Sequence, residues 1–218
     1  MTRQIKVAYL LDKSNIWIKE YLLKSNLLKR NTTKYKSKIF LNANKIRNFD
    51  IVFILSYTKI LKNSFLKKNK LNLIIHASDL PKNKGFAPMQ WQILKNKNKI
   101  IFSMFKANSK VDNGDIFKKK SIILNGTELY DELREKQAFC TFSLIKYFLK
   151  KYPKVKFSKQ FGKSSFNRKR NKNDSKININ LSIKKIFNKL RIANNKEWPS
   201  FFYYKNKKFI IKIYKTKK

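Results

Sequence analysis

Three observations predict an α/β fold, with a mostly parallel sheet and helices on both faces. Short apolar, β-branched runs alternate with stretches of helical spacing along most of the chain. One of those runs, Ile51-Val52-Phe53-Ile54-Leu55, is continuously apolar, as suits a strand buried on both faces. Another, Leu73 to Ile75, ends on His76 and passes at once into a loop holding Pro81, Gly85 and Pro88. That is how such a sheet presents a polar side chain to a crevice at the carboxyl ends of its strands. A length of 218 residues, with 42% hydrophobic and 14% aromatic residues, supplies a core for one such domain and a small appendage.

In chain order, Ile5 to Leu11 reads as the first strand. A turn at Asp12, Ser14 and Asn15 leads into a helix from near Asn15, with Ile16, Ile18, Tyr21, Leu22 and Leu23 at helical spacing. Lys38 to Leu41 is a second strand and Ile51 to Leu55 a third. Ser56 to Lys59 is a loop, Ile60 to Leu66 a short helix, and Leu73 to His76 the next strand. Pro88 to Leu94 is helical and Ile100 to Ala107 extended. Asp115 to Phe117 and Ser121 to Leu124 read as two separate extended pieces. Thr127 is placed as the N-cap of a long helix reaching about Lys150, with acidic residues in its first turns and Leu133, Ala138, Cys140, Ile145 and Phe148 on its apolar face. Tyr152-Pro153 stops it. Lys154 to Asn180 is polar, basic and aperiodic; Leu181 to Ile192 returns to helical spacing. Two apolar runs around Lys205-Asn206-Lys207 then predict a hairpin.

The net charge is +41, from 53 basic and 12 acidic residues. It suits a nucleic-acid or anionic surface. The basic residues are nevertheless spread along the whole chain, and Lys, Asn, Ile and Phe, all amino acids with A/T-rich codons, are abundant together. Composition bias therefore stands beside a selected polyanion surface as an explanation. A single cysteine excludes an internal disulfide. No apolar run reaches the roughly 18 residues of a membrane helix, and no secretory signal pattern opens the chain, so a cytoplasmic location is expected.

Several chemistries lack their residues. One histidine and one cysteine make no zinc set, so no metal is expected. A nucleophile elbow, a P-loop and a G-x-G-x-x-G turn are all absent. Cys140 reads as a small buried apolar residue. What remains is His76 with a carboxylate from Asp79, Asp112 or Asp115, a pair suited to taking a proton from an attacking amine.

The stretch His76-Ala77-Ser78-Asp79-Leu80-Pro81, with Lys82, Gly85 and Pro88, resembles the formyltransferase family that uses 10-formyltetrahydrofolate. Val111-Asp112-Asn113-Gly114-Asp115-Ile116 is similar to that family's second motif, 36 residues after His76 at Asp112, as its spacing requires. Asn125-Gly126-Thr127-Glu128-Leu129, Arg168-Lys169-Arg170 with Asp174-Ser175, and Trp198-Pro199-Ser200 continue the likeness over nearly the whole chain. Together with Asn15-Ile16-Trp17-Ile18, they most resemble the branch that formylates amino sugars carried on a nucleotide, a branch of surface polysaccharide biosynthesis.

The resemblance implies a Rossmann-like formyltransferase sheet, with a catalytic domain over 1–153 and a basic loop, helix and β-hairpin extension over 154–218. His76 and Asp112 would be catalytic; Ser56, Tyr57, Ile60, Val111 and Asp112 would hold the folate co-substrate; Lys82, Trp91, Arg168 and Arg170 would meet the acceptor. Trp17, Trp91 or an aromatic of Phe201 to Tyr204 could stack on the base. A homodimer is compatible with the branch. One departure stands out. The family carries Asn two residues before the histidine as an oxyanion donor, and this chain has Ile74 there. Asn72 shares the strand face but lies about 6.6 Å further back; losing such a donor costs about 10²–10³ in rate. Two alternatives accompany this reading: a methionyl-tRNA formyltransferase, and a non-catalytic basic protein binding nucleic acid on the same scaffold. The tRNA enzyme carries a full C-terminal barrel domain, and the 20 residues after Trp198 lead us to expect the sugar branch instead.

Overall fold

The computed structural model describes residues 3–29 and 34–216. The chain runs β1 (Ile5–Leu11), α1 (Trp17–Lys24), α2 (Asn26–Lys29), β2 (Tyr35–Phe40), β3 (Ile51–Leu55), α3 (Asn63–Leu66) and β4 (Asn72–His76). It continues through β5 (Lys84–Gly85), α4 (Pro88–Leu94), β6 (Lys99–Lys106), β7 (Ile116–Ile123) and α5 (Tyr130–Lys151). β8 (Phe166–Asn167), α6 (Ile183–Arg191), β9 (Ser200–Tyr204) and β10 (Lys207–Ile211) complete it. Six strands form one sheet in the order β2-β1-β3-β4-β6-β7. Its first four strands are mutually parallel, while β6 is antiparallel to both β4 and β7.

The sheet is buried where its strands are apolar throughout. β3 has all five residues buried, and β1 is buried from Val7 to Leu11. One face packs Val7, Tyr9, Phe53 and Leu73 against Ile18 and Leu22 of α1 and against Ala138, Leu144, Ile145 and Phe148 of α5. The opposite face carries Leu10, Val52 and Ile54 against Phe65 of α3 and Ile46. Cys140 lies in the first of these cores, and burial pushes its thiol up to about 11.

Four elements depart from the reading of the sequence. The expected helix over Ile60 to Leu66 shrinks to Asn63–Leu66, and the loop before it is tied at Ser56 and Thr58 to the β1–α1 turn. Asp115–Phe117 and Ser121–Leu124 join into the one strand β7; its lysines 118–120 interrupt the apolar pattern because this is a sheet edge, where charged side chains face solvent. The second strand begins earlier, at Tyr35, whose hydroxyl donates to the Leu149 carbonyl at 2.5 Å. Helix α5 begins at Tyr130 rather than just after Thr127.

That last shift has a tertiary cause. The Glu128 carboxylate accepts the amides of Asn125 at 2.8 Å and Gly126 at 3.1 Å, closing a turn instead of opening the helix. It also receives Arg191 Nη1 at 3.2 Å from α6, and both side chains are essentially sealed from solvent. Burial alone would raise the Glu128 carboxyl, yet the amides around it and Lys136 bring it below its ordinary value. The pair anchors the C-terminal segment to the sheet. In that segment, α6 packs Ile186 and Leu190 on Ile177, Ile211 and Ile213 beneath the β9–β10 hairpin. Residues 154–180, aperiodic in sequence, are structured by pairing: β8 lies parallel to β5, and Ser158 bridges Ile116.

Truncating Arg191 strands a buried carboxylate. Arg191→Ala is expected to lower unfolding stability by about 3–5 kcal/mol. A urea unfolding series reading a loss under about 1 kcal/mol would show that the pair does not carry this anchorage.

Candidate active site

His76 is the last residue of β4 and shares a strand face with Ile74. After it the chain folds back over the sheet. Ser103 of β6 pins this return: its hydroxyl donates to the Ser78 carbonyl at 2.7 Å, and Leu80 packs on Ile74, Phe105 and Ile116. The return places the Asn83 carbonyl 2.9 Å from His76 Nε2. Nε2–H therefore donates to Asn83, and the other ring nitrogen, Nδ1, faces the Asp112 carboxylate at 3.6 Å. Both side chains are about nine-tenths buried.

Asp112 comes to this place by an indirect route. Because β6 is antiparallel to β4, Lys106 at its end lies opposite Leu73, near the start of β4. Residues 107–115 must then travel back along the sheet to reach His76. Asp112 sits in the left-handed region at φ 47°, a conformation that Asp tolerates better than most residues. Its carboxylate accepts the Gly85 amide at 2.8 Å. Gln160 Nε2 donates to the carbonyls of Asp112 and Gly114, each at 2.9 Å. A Cβ on Gly114 would lie 1.7 Å from the Lys106 carbonyl oxygen, so only glycine fits this crossing. Lys84, 2% exposed, donates to Asn113 Oδ1 at 2.7 Å and fastens the same loop from the other side.

A second loop is gripped by Asp12. Its carboxylate accepts from the amide and hydroxyl of Ser14 and from the amide and hydroxyl of Thr58. Asn15 Nδ2 donates to the Ser56 carbonyl at 2.9 Å. Burial opposes ionisation of Asp12, but these four donors outweigh it and hold the carboxyl at about 2. Ser56 is thereby kept at φ 51°, and Tyr57 and Ile60 are presented beside it.

These loops enclose a cavity of about 490 Å³. His76, Asp112, Ser56, Tyr57, Ile60, Val111 and Arg170 all line it. Lys82 is exposed and outside the lining. Trp91 and Arg168 are also outside it and support one another: Trp91 Nε1 donates to the Arg168 carbonyl at 3.1 Å, and the guanidinium lies 5.0 Å from the indole ring. That guanidinium forks onto Asp174, whose carboxyl it holds at about 2. Ile74 lines the cavity; Asn72 does not, and its amide is engaged with the Leu66 carbonyl at 2.9 Å. Asn72 is thus no substitute donor for the site. Among the described residues, no group of three or more His, Cys, Asp and Glu is placed to hold a metal ion.

The arrangement leaves one ring nitrogen able to accept a proton. The ring is oriented through Nε2 by a backbone carbonyl, leaving Nδ1 to receive a proton beside a carboxylate that would meet the resulting imidazolium. Reading the sequence missed Asn83, Gln160 and Ser165, and it named Gly85 without its amide contact to Asp112. Asn83 and Gly85 carried a turn signal, both having positive φ here. Gln160 and Ser165 carried none, since they lie in the aperiodic segment and act only through tertiary contacts; Ser165 Oγ accepts the Asn83 amide at 2.9 Å.

The depressed Asp12 carboxyl has a pH signature. Its contribution to stability is present above the unfolded value near 4 and is lost as pH falls toward about 2. Replacing Asp12 with Asn is expected to flatten stability between about pH 4 and pH 2, in denaturant titrations, by on the order of 2 kcal/mol relative to wild type. An unchanged acid limb would overturn this role.

Comparison with known proteins shows the family and the fold. A family model described as formyl transferase matches residues 7–143. Methionyl-tRNA formyltransferase of Thermodesulfovibrio yellowstonii is 30% identical over 203 residues, covering 91% of this chain and 65% of that protein. The chain therefore spans less than two thirds of that relative's length. Two solved structures share the fold. A sugar N-formyltransferase from a Shewanella species superposes with a TM-score of 0.70 at 14% identity, over 96% of this chain and 97% of that one. HypX from Aquifex aeolicus in complex with tetrahydrofolic acid superposes at 0.75 with 14% identity, over 97% of this chain and 38% of that one. With the matched segment spanning the sheet, His76 and Asp112, the chain belongs to the formyl transferase family.

Proposed function

We propose that the protein is an N-formyltransferase that moves a formyl group from 10-formyltetrahydrofolate to the amine of a nucleotide-linked amino sugar. The observation that carries this reading is the His76–Asp112 pair, 3.6 Å apart in the wall of a cavity and inside the segment matched by the family. The neutral amine attacks the formyl carbon, and a C–N bond forms. The amine proton passes to His76 Nδ1, and Asp112 stabilises the imidazolium. The bond from the formyl carbon to the folate nitrogen then breaks, and that nitrogen takes the proton back from His76. No covalent bond to the protein is formed.

The folate is assigned to the loop held by Asp12, where Ser56, Tyr57 and Ile60 line the same cavity as Val111 and Asp112. Fold likeness to a structure holding tetrahydrofolic acid supports this assignment. The sugar acceptor is supported by fold likeness to a sugar N-formyltransferase over nearly the whole of both chains, and by Arg170 on the cavity wall. A methionyl-tRNA acceptor is the second reading, favoured by the relative at 30% identity and by the charge of +41. Turnover with 10-formyltetrahydrofolate, measured against a panel of amino-sugar nucleotides and against methionyl-tRNA, separates the two.

His76→Ala is expected to abolish transfer, and Asp112→Asn to lower kcat by about 10²-fold or more, with both variants folded. His76 is the only histidine in the chain, so no other imidazole can replace it. Transfer retained at the wild-type rate by His76→Ala would sink the mechanism.

A further inference from the structure

The cavity has a cationic wall that the proton-transfer pair does not use. Arg134, in the second turn of α5, lines it together with Arg170. The Arg134 guanidinium is braced between two rings, 4.5 Å from the centre of Trp17 and 5.0 Å from that of Tyr130. Its Nη1 donates to Gln137 Oε1 at 2.9 Å. The Nε–H groups of Arg134 and Arg170 and the Nε1–H of Trp17 are all buried, and none has a hydrogen-bond acceptor among the described residues.

Three other arginines are paired with carboxylates. Arg168 forks onto Asp174, Arg191 is paired with Glu128, and Arg3 lies 3.7 Å from Asp50. Arg134 and Arg170 have no carboxylate within ion-pair distance among the described residues, and both face the cavity. Burial pulls the Arg170 guanidinium below its ordinary value; Asp174 opposes this, while the Arg168 and Arg134 charges add to it. Two recessed guanidinium groups within electrostatic reach of one another repel unless an anion lies between them. Buried donors without acceptors are costly, and an oxyanion satisfies several at once.

We propose that Arg134, Arg170 and the Trp17 indole N–H form an oxyanion subsite at one end of this cavity, which receives a phosphate of the acceptor or the carboxylate tail of the folate. The proposal deepens the reading of the cavity as a formyl-transfer site and names the chemistry that would anchor a substrate there. It also explains why Trp17 lies where it does. Its ring braces a cation, so its N–H rather than its face is available to a ligand. Arg168 is excluded from the subsite by its fork onto Asp174.

The test is binding, read without turnover. Isothermal titration of the full chain with sodium pyrophosphate is compared among wild type, Arg134→Gln, Arg170→Gln and His76→Ala. The same proteins are titrated with tetrahydrofolate and with its glutamate diamide, in which both tail carboxylates are neutral. If the anion is an acceptor phosphate, each arginine variant weakens pyrophosphate by about tenfold or more, the loss of one charged hydrogen bond, and leaves both folates alone. If it is the tail, each variant weakens tetrahydrofolate but not the diamide. Unchanged affinity for all three probes in both variants overturns the subsite. Arg134→Lys, which keeps the stem and the charge but not the fork, stands in if Arg134→Gln does not fold. Because His76→Ala is expected to bind pyrophosphate like wild type, a failure of the catalytic reading leaves this measurement intact.

Discussion

The hydrogen bond from the Gly85 amide to the Asp112 carboxylate is the contact around which the site closes. It joins two loops that leave the sheet at opposite ends of neighbouring antiparallel strands. Everything nearby serves that closure. Gly114 allows the crossing over Lys106, Gln160 holds the loop's carbonyls, and β8 pairs with β5 so that Gly85 points its amide inward. A Cβ on Gly85 would meet the Asn167 carbonyl oxygen at 2.5 Å, and its φ is 89°, so both space and backbone require glycine. Residues far along the chain, Gln160 and the β8 strand, thus position the Asp112 carboxylate.

Acids are scarce in this chain, 12 against 53 bases, and those that are buried serve as multivalent acceptors. Asp12 takes four donors from two turns; Glu128 takes two amides and an arginine. Asp50 accepts the Lys6 amide at 2.9 Å and lies near Lys70 and Arg3. In a strongly cationic molecule, each such carboxylate lowers repulsion where the chain must turn or dock. The cationic wall at Arg134 and Arg170 is the exception, cations gathered in a recess without that compensation. Charge that is unremarkable on a lysine-rich surface acquires a meaning when it is recessed and unpaired.

Much of the frame was legible in the residues. Helix Pro88–Leu94 and strand Ile51–Leu55 match their expected bounds, because each depends on a local pattern that tertiary contacts reinforce. The helix over Ile60 to Leu66 and the N-cap at Thr127 were misplaced for one shared reason. In both, a buried carboxylate, Asp12 or Glu128, binds backbone amides just before the expected helix and fixes a turn there. Lys82, Trp91 and Arg168, which the resemblance placed at the acceptor, lie outside the cavity lining, because neither motif nor charge says which way a side chain turns.

The pairing with Asp112 came from the family resemblance; by itself, the sequence determined the alternation of strands and helices and the single histidine at a strand end. These follow from hydrophobic periodicity and from turn chemistry, both of which act over a few residues. Only the tertiary structure decided which ring nitrogen is free for a proton, which loop carries Asp112 back along the sheet, and which arginines face the cavity. Those choices are made by contacts between residues tens of positions apart, such as Asn83 with His76's ring, Gln160 with Asp112, and Asp174 drawing Arg168 away. Side-chain direction and pairing are set by what packing brings alongside, and no local pattern encodes that neighbour.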